Sequence, residues 1–120
     1  MRVGAVVTDL LIFSRIESAA SAAGASLVRV DAPAELPAEL DLVLADWSAR
    51  RADWAAALRD RSDAGLRIVL FGPHTDLAAH AAARAVGLGP MWARSKLLAG
   101  LTALLADGPT GPQQQVSERP

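Results

Sequence analysis

Short apolar runs, each closed by a polar residue or a turn and followed by a helical pattern, constrain the fold of this chain most. Val3–Val7, Leu27–Val30, Leu42–Ala45 and Arg67–Phe71 are rich in Val, Leu, Ile and Ala without a polar alternation, which is how strands buried on both faces read. Met91-Trp92-Ala93 is a fifth, shorter strand candidate. Between these runs, Leu11–Ala23 places Ile12, Ile16, Ala19, Ala20 and Ala23 at helical spacing, with Gly24 as its stop. Arg50–Arg61 carries Trp54, Ala57 and Leu58 on one side and closes at Asp63-Ala64-Gly65. Thr75 or Asp76 opens a helix to Val86, ended by Gly87-Leu88-Gly89-Pro90, and Ser95 opens a last helix, Lys96–Ala106. The connection Ala32–Leu40 contains Pro33 and Pro37, which limit it to about one turn of helix. Such an alternation dictates an α/β fold: a single doubly wound, five-stranded parallel sheet with right-handed crossovers and helices on both faces. The domain is expected over 1–106. The Gly-, Pro- and Gln-rich stretch 107–120 lacks apolar periodicity and is expected to be a disordered tail.

With 120 residues, 52% of them hydrophobic, the chain can bury a core without staples. It has no cysteine, which excludes disulfides, thiolate nucleophiles and zinc–thiolate sites. A formal net charge of −1 argues against a nucleic-acid or anionic-membrane surface. Arg50, Arg51, Arg59 and Arg61 stand among Asp53, Asp60 and Asp63, the pattern of a solvated helix face with i,i+4 ion pairs. No apolar stretch reaches the ~20 residues of a membrane span, and the first run breaks at Thr8-Asp9 before a signal sequence could form. The expectation is a cytoplasmic protein.

Two strands end on acids. Asp41-Leu42-Val43-Leu44-Ala45-Asp46 presents a carboxylate at its carboxyl end, and Asp9 follows the first strand. Open parallel sheets bind ligands in the crevice outside these strand ends, so Asp9 and Asp46 together suit a divalent cation or a phosphoryl group, or simply cap backbone groups there. His74, in the loop after Gly72-Pro73, reaches the same edge and suits a phosphate donor or a general acid/base. His80 belongs to the surface of an alanine-rich helix. Gly87-Leu88-Gly89-Pro90 follows a helix and precedes a strand, the reverse of a dinucleotide-binding turn, and is no cofactor site. Of three tryptophans, Trp54 reads as core, whereas Trp47 and Trp92 fill gaps over the sheet's end or anchor a partner.

With the strand ends placed, Asp41-Leu-Val-Leu-Ala-Asp46 resembles the third strand and phospho-acceptor of response-regulator receiver domains, over residues 2–106. The resemblance implies a flavodoxin-like three-layer sandwich, with Asp46 as phospho-acceptor candidate and magnesium held by Asp9 and Asp46. It also implies a pocket lined by Gly72, His74 and Arg94, and a homodimer through the face of the helix Leu77–Val86, the strand Met91–Ala93 and the last helix. The chain departs from the family pattern at Thr8, where an acid is usual; at Gly72, in place of a hydroxyl residue; and at Arg94-Ser95, in place of Lys-Pro. Fewer acids bind magnesium more weakly, arginine keeps the charge with a different geometry, and glycine offers no group to a phosphoryl oxygen.

Three functions stay open on this reading. The first is a stand-alone, pseudo-receiver signalling module that needs no cofactor and acts through an unidentified protein partner. The second is a single-domain response regulator of a two-component system, phosphorylated on Asp46 with magnesium. The third is a small enzyme with His74 as acid/base and Asp46 as its partner, which requires those two side chains to lie within hydrogen-bond reach.

Overall fold

A computed structural model describes residues 1–106; the expected tail, 107–120, lies outside the described residues. Five parallel strands form the sheet: β1 (Arg2–Val6), β2 (Ser26–Val30), β3 (Leu42–Asp46), β4 (Arg67–Gly72) and β5 (Trp92–Ala93), in the order β2-β1-β3-β4-β5. Three helices lie between strands, α1 (Leu10–Ala23), α2 (Trp54–Asp63) and α3 (Leu77–Ala85), and α4 (Arg94–Ala106) follows β5. The sheet is the α/β, all-parallel arrangement expected from the alternation, with the flavodoxin-like form that the resemblance implies. β3 is central, and all five of its residues are buried, which is why its sequence carries no polar alternation.

Side-chain alternation along the strands divides the core into two layers. Val3, Ala5, Leu42, Leu44, Val69 and Phe71 meet Ile12, Ile16 and Ala20 of α1 and Leu97, Leu101 and Leu104 of α4. Val6, Val43, Ala45 and Leu70 face the other way, onto Trp54 and Leu58 of α2 and Ala79 and Ala83 of α3.

The β2–β3 connection holds only a three-residue 3-10 turn, Pro33–Glu35, as its two prolines dictate. This strap lies directly on β1. A Cβ added to Gly4 would stand 2.7 Å from Leu36 Cδ2 and 2.8 Å from Leu40 Cδ1, so any larger residue would force these two leucine side chains to shift. Arg61 of α2 clamps the strap by donating to the carbonyls of Leu36 and Pro37.

Helix boundaries differ from expectation in two places. The segment from Arg50 does not enter α2 directly: Trp47–Ala49 forms a 3-10 turn, Arg50 is extended (ψ 146°), and α2 starts at Trp54 behind Asp53. Asp46 is the reason, because its carboxylate accepts from Ser48 N–H and folds the chain into a local turn. Ser95 does not cap α4, which begins at Arg94 immediately after β5. Asp76, rather than Thr75, caps α3 by accepting from Ala79 N–H. Gly24 ends α1 in the left-handed conformation at φ 71°, as its position predicts.

Candidate functional site

The connection after β1 runs outward to β2 and the connection after β3 runs the other way to β4, so the crevice of the fold opens at the carboxyl ends of the neighbouring strands β1 and β3. Val6 is opposite Ala45 in that ladder. Asp46 closes β3 and Asp9 follows β1 by three residues, so both acids belong to this end of the sheet.

Each carboxylate is engaged by its own backbone. Asp9 is the N-cap of α1 and accepts from Leu11 N–H at 2.9 Å and Ile12 N–H at 3.2 Å through Oδ1. Asp46 is 5% exposed, and its Oδ1 accepts from the Ser48 hydroxyl at 2.6 Å and from Ser48 N–H at 3.2 Å. The hydroxyl contact is short, as expected for a charged acceptor. These are the capping roles that strand-end acids commonly take.

The resemblance implies magnesium here, and the donors fall short of it. Thr8 supplies no carboxylate, and among the described residues no group of three or more His, Cys, Asp or Glu side chains is placed to hold a metal ion. Two acids that each spend one oxygen on capping leave a weak site for an ion that prefers six oxygens.

Gly72 ends β4, paired with Ala93 of β5, and Arg94 follows. A Cβ on Gly72 would lie 3.1 Å from Met91 Sδ and 3.5 Å from Ser48 Cβ. The place beside Asp46 is therefore filled from below by Met91 and from the loop by Ser48, whose hydroxyl reaches the acid. Arg94 is half-buried, and its Nε has no hydrogen-bond partner. Among the described residues no ion pair joins it to Asp46 or Asp9, so the acids are not neutralised by it.

His74 is exposed, and its carbonyl lies 3.2 Å from His80 Nε2. No hydrogen bond or ion pair joins His74 to Asp46 among the described residues, so the contact required by an acid/base pair is not made.

The two candidate anchor tryptophans separate. Trp47 is 1% exposed, sits against Ala79 and Ala83 of α3, and donates its indole N–H to the Ala79 carbonyl at 3.0 Å. This corrects the anchor reading of Trp47, which belongs to the core: the small side chains of α3 make the room it fills. Trp92 is half-buried, with Lys96 Nζ 4.4 Å from its ring centroid. Trp54 is buried in the core as its spacing predicts.

Ser48 escaped the sequence reading, although an Asp followed two residues later by Ser is the pattern of a side-chain-closed turn. So did the divergence among the arginines. Arg59 pairs with Asp63 at 3.0 Å, as i,i+4 spacing predicts. Arg61 instead binds strap carbonyls, and Arg50 donates to the Trp47 carbonyl with its guanidinium 5.3 Å from the Trp47 ring centroid.

No protein-family model matches this sequence, and no curated protein does. Solved structures do. A response-regulator receiver domain protein from Clostridium thermocellum superposes with a TM-score of 0.61 at 13% identity, covering 88% of this chain and 94% of that one. A fusion protein carrying residues 181–211 of the yeast Spc42 trimeric coiled coil superposes at 0.62 and 15% identity, covering 88% and 76%. At such identities the likeness is one of fold: this chain has the receiver-like, flavodoxin-like α/β architecture.

Proposed function

We propose that this chain is a degenerate receiver-like signalling module that works through protein–protein contacts, without phosphorylation of Asp46 and without a required cofactor. The observation that carries the reading is the Asp46–Ser48 turn, in which the acid's Oδ1 accepts both the hydroxyl and the N–H of Ser48. Phosphoryl transfer to a carboxylate depends on a cation and on positioned donors to neutralise the incoming oxygens. Thr8, Gly72 and an Arg94 unpaired with either acid supply little of that. Self-association through the face of α3, β5 and α4 belongs to the same reading, supported by Leu77, which is 75% exposed at the start of α3, and by half-buried Trp92.

The test is titration with beryllofluoride, a phosphoryl mimic, at millimolar-range magnesium, read by tryptophan fluorescence, since Trp47 directly follows Asp46. The expected result is no magnesium-dependent change. A saturable change that requires magnesium and disappears in Asp46→Ala would establish the phosphorylated response regulator instead.

A further inference from the structure

We propose that the groove between α2 and α3 is a docking site for an acidic peptide segment of a protein partner. The inference rests on the reading of the chain as an interaction module and names the chemistry of one partner. The groove has a volume of about 460 Å³ and is lined by the turn after β3, the start of α2 and the end of α3. Arg50 and Arg51 line one side, and no Asp or Glu lines it, in a chain whose formal net charge is −1. Its floor is small and apolar, with Ala55 of α2 against Ala82 and Val86, so an incoming backbone can approach closely.

The two arginines differ usefully. Arg50 is held in place, one NH1 bond to the Trp47 carbonyl fixing its guanidinium near the Trp47 ring. The fork keeps further donors for a carboxylate. Arg51 is exposed, and among the described residues its guanidinium makes no hydrogen bond or ion pair, so its donors are open to solvent beside Arg50. Arg59 donates to the Val86 carbonyl, which satisfies that carbonyl, so Arg50 and Arg51 are the cations the lining offers an anion. A pair of cations above an alanine floor complements carboxylates spaced along a small-residue peptide. The nearby acids, Asp46 and Asp53, are outside the lining, and Asp46 is turned to Ser48.

The experiment is a tryptophan-fluorescence titration of the full chain with a synthetic Glu/Ala peptide, with a Lys/Ala peptide of equal length as control. Binding of the Glu/Ala peptide alone, weakening as salt rises past about 100 mM, is expected. A partly exposed Arg–carboxylate pair is worth a factor of about 3–5, so Arg50→Gln/Arg51→Gln weakens binding about tenfold. Arg51→Gln alone, at an exposed side chain, weakens it about threefold and separates a binding loss from misfolding. Arg15→Gln, an exposed arginine on α1, leaves it unchanged. Binding of neither peptide, binding that survives the double substitution, or equal loss with Arg15→Gln overturns the proposal; so does displacement by inorganic phosphate at concentrations like the peptide's own, which marks a small-anion site. Failure here removes the groove and leaves the beryllofluoride result untouched, so the two readings fail separately.

Discussion

Asp46 and Ser48 form the smallest unit on which the proposed function turns. A buried carboxylate is costly unless hydrogen-bonded, and Ser48 supplies two donors to one oxygen. If the acid is a structural cap, its removal destabilises: Asp46→Ala is expected to lower unfolding free energy by about 1–2 kcal/mol, and Ser48→Ala by about 1 kcal/mol, in urea denaturation. If the acid is instead held for a ligand at a cost to the fold, Asp46→Ala raises stability, and that sign would count against the cap. The position of this acid was legible in sequence, because a run of buried residues ending in Asp fixes a strand end. The partner of the acid was less so, since Ser48 is two residues away and a turn in which a side chain closes on its own backbone leaves no apolar periodicity. Trp47 was illegible for a different reason: an aromatic after a strand end fits an exposed anchor and a core plug equally well, and only the alanines of α3, 32 residues away at Ala79, decide for the core.

At the scale of elements, the strap between β2 and β3 distinguishes this molecule from a sheet covered by a helix at every crossover. Pro33 and Pro37 announce it, because neither an unbroken helix nor a long one can be built through both. What sequence does not announce is how closely it packs, since Gly4 is as compatible with a buried strand as with a site of close approach. The structure decides this through Leu36 and Leu40, which occupy the volume a Cβ at position 4 would need. Gly4→Ala is therefore expected to cost about 1–3 kcal/mol by overpacking, measured by thermal or urea unfolding. Leu40→Ala in the same chain should recover part of that loss, so the two substitutions cost less together than their separate sum. Strict additivity would mean that the strap moves freely and is not seated on β1. The late start of α2 is also an effect between elements: Asp46 draws residues 47–49 into its turn, so the helical spacing visible from Arg50 is not realised until Trp54.

On the scale of the whole molecule, the question is which surfaces remain for a second chain. Parallel sheets expose unpaired backbone at their edge strands, and such edges invite pairing unless blunted. β5 is two residues long and offers little to pair with. β2 carries Arg29, whose guanidinium is bound to the Val7 carbonyl and to Asp31 at 2.8 Å, placing charge on that edge. The proposed contact between copies is thus left to helix faces. α4 spends Leu97, Leu101, Leu104 and Leu105 on the core, and the apolar side chains that α3 and β5 leave open include Leu77 at the start of α3 and half-buried Trp92. A dimer through that face is expected in sedimentation equilibrium. An exposed leucine that becomes buried in an interface contributes roughly 1.5–3 kcal/mol, so Leu77→Ser weakens dimerisation about tenfold or more. The same change leaves the fold within about 0.5 kcal/mol of the parent, because Leu77 packs on little in the single chain. Leu11, 81% exposed at the start of α1 and on the opposite layer, provides the comparison: Leu11→Ser leaves the association constant unchanged if the α3 face is the contact. A chain that sediments as a monomer throughout, or a dimer equally sensitive to both substitutions, would show that Leu77 is exposed for some other reason.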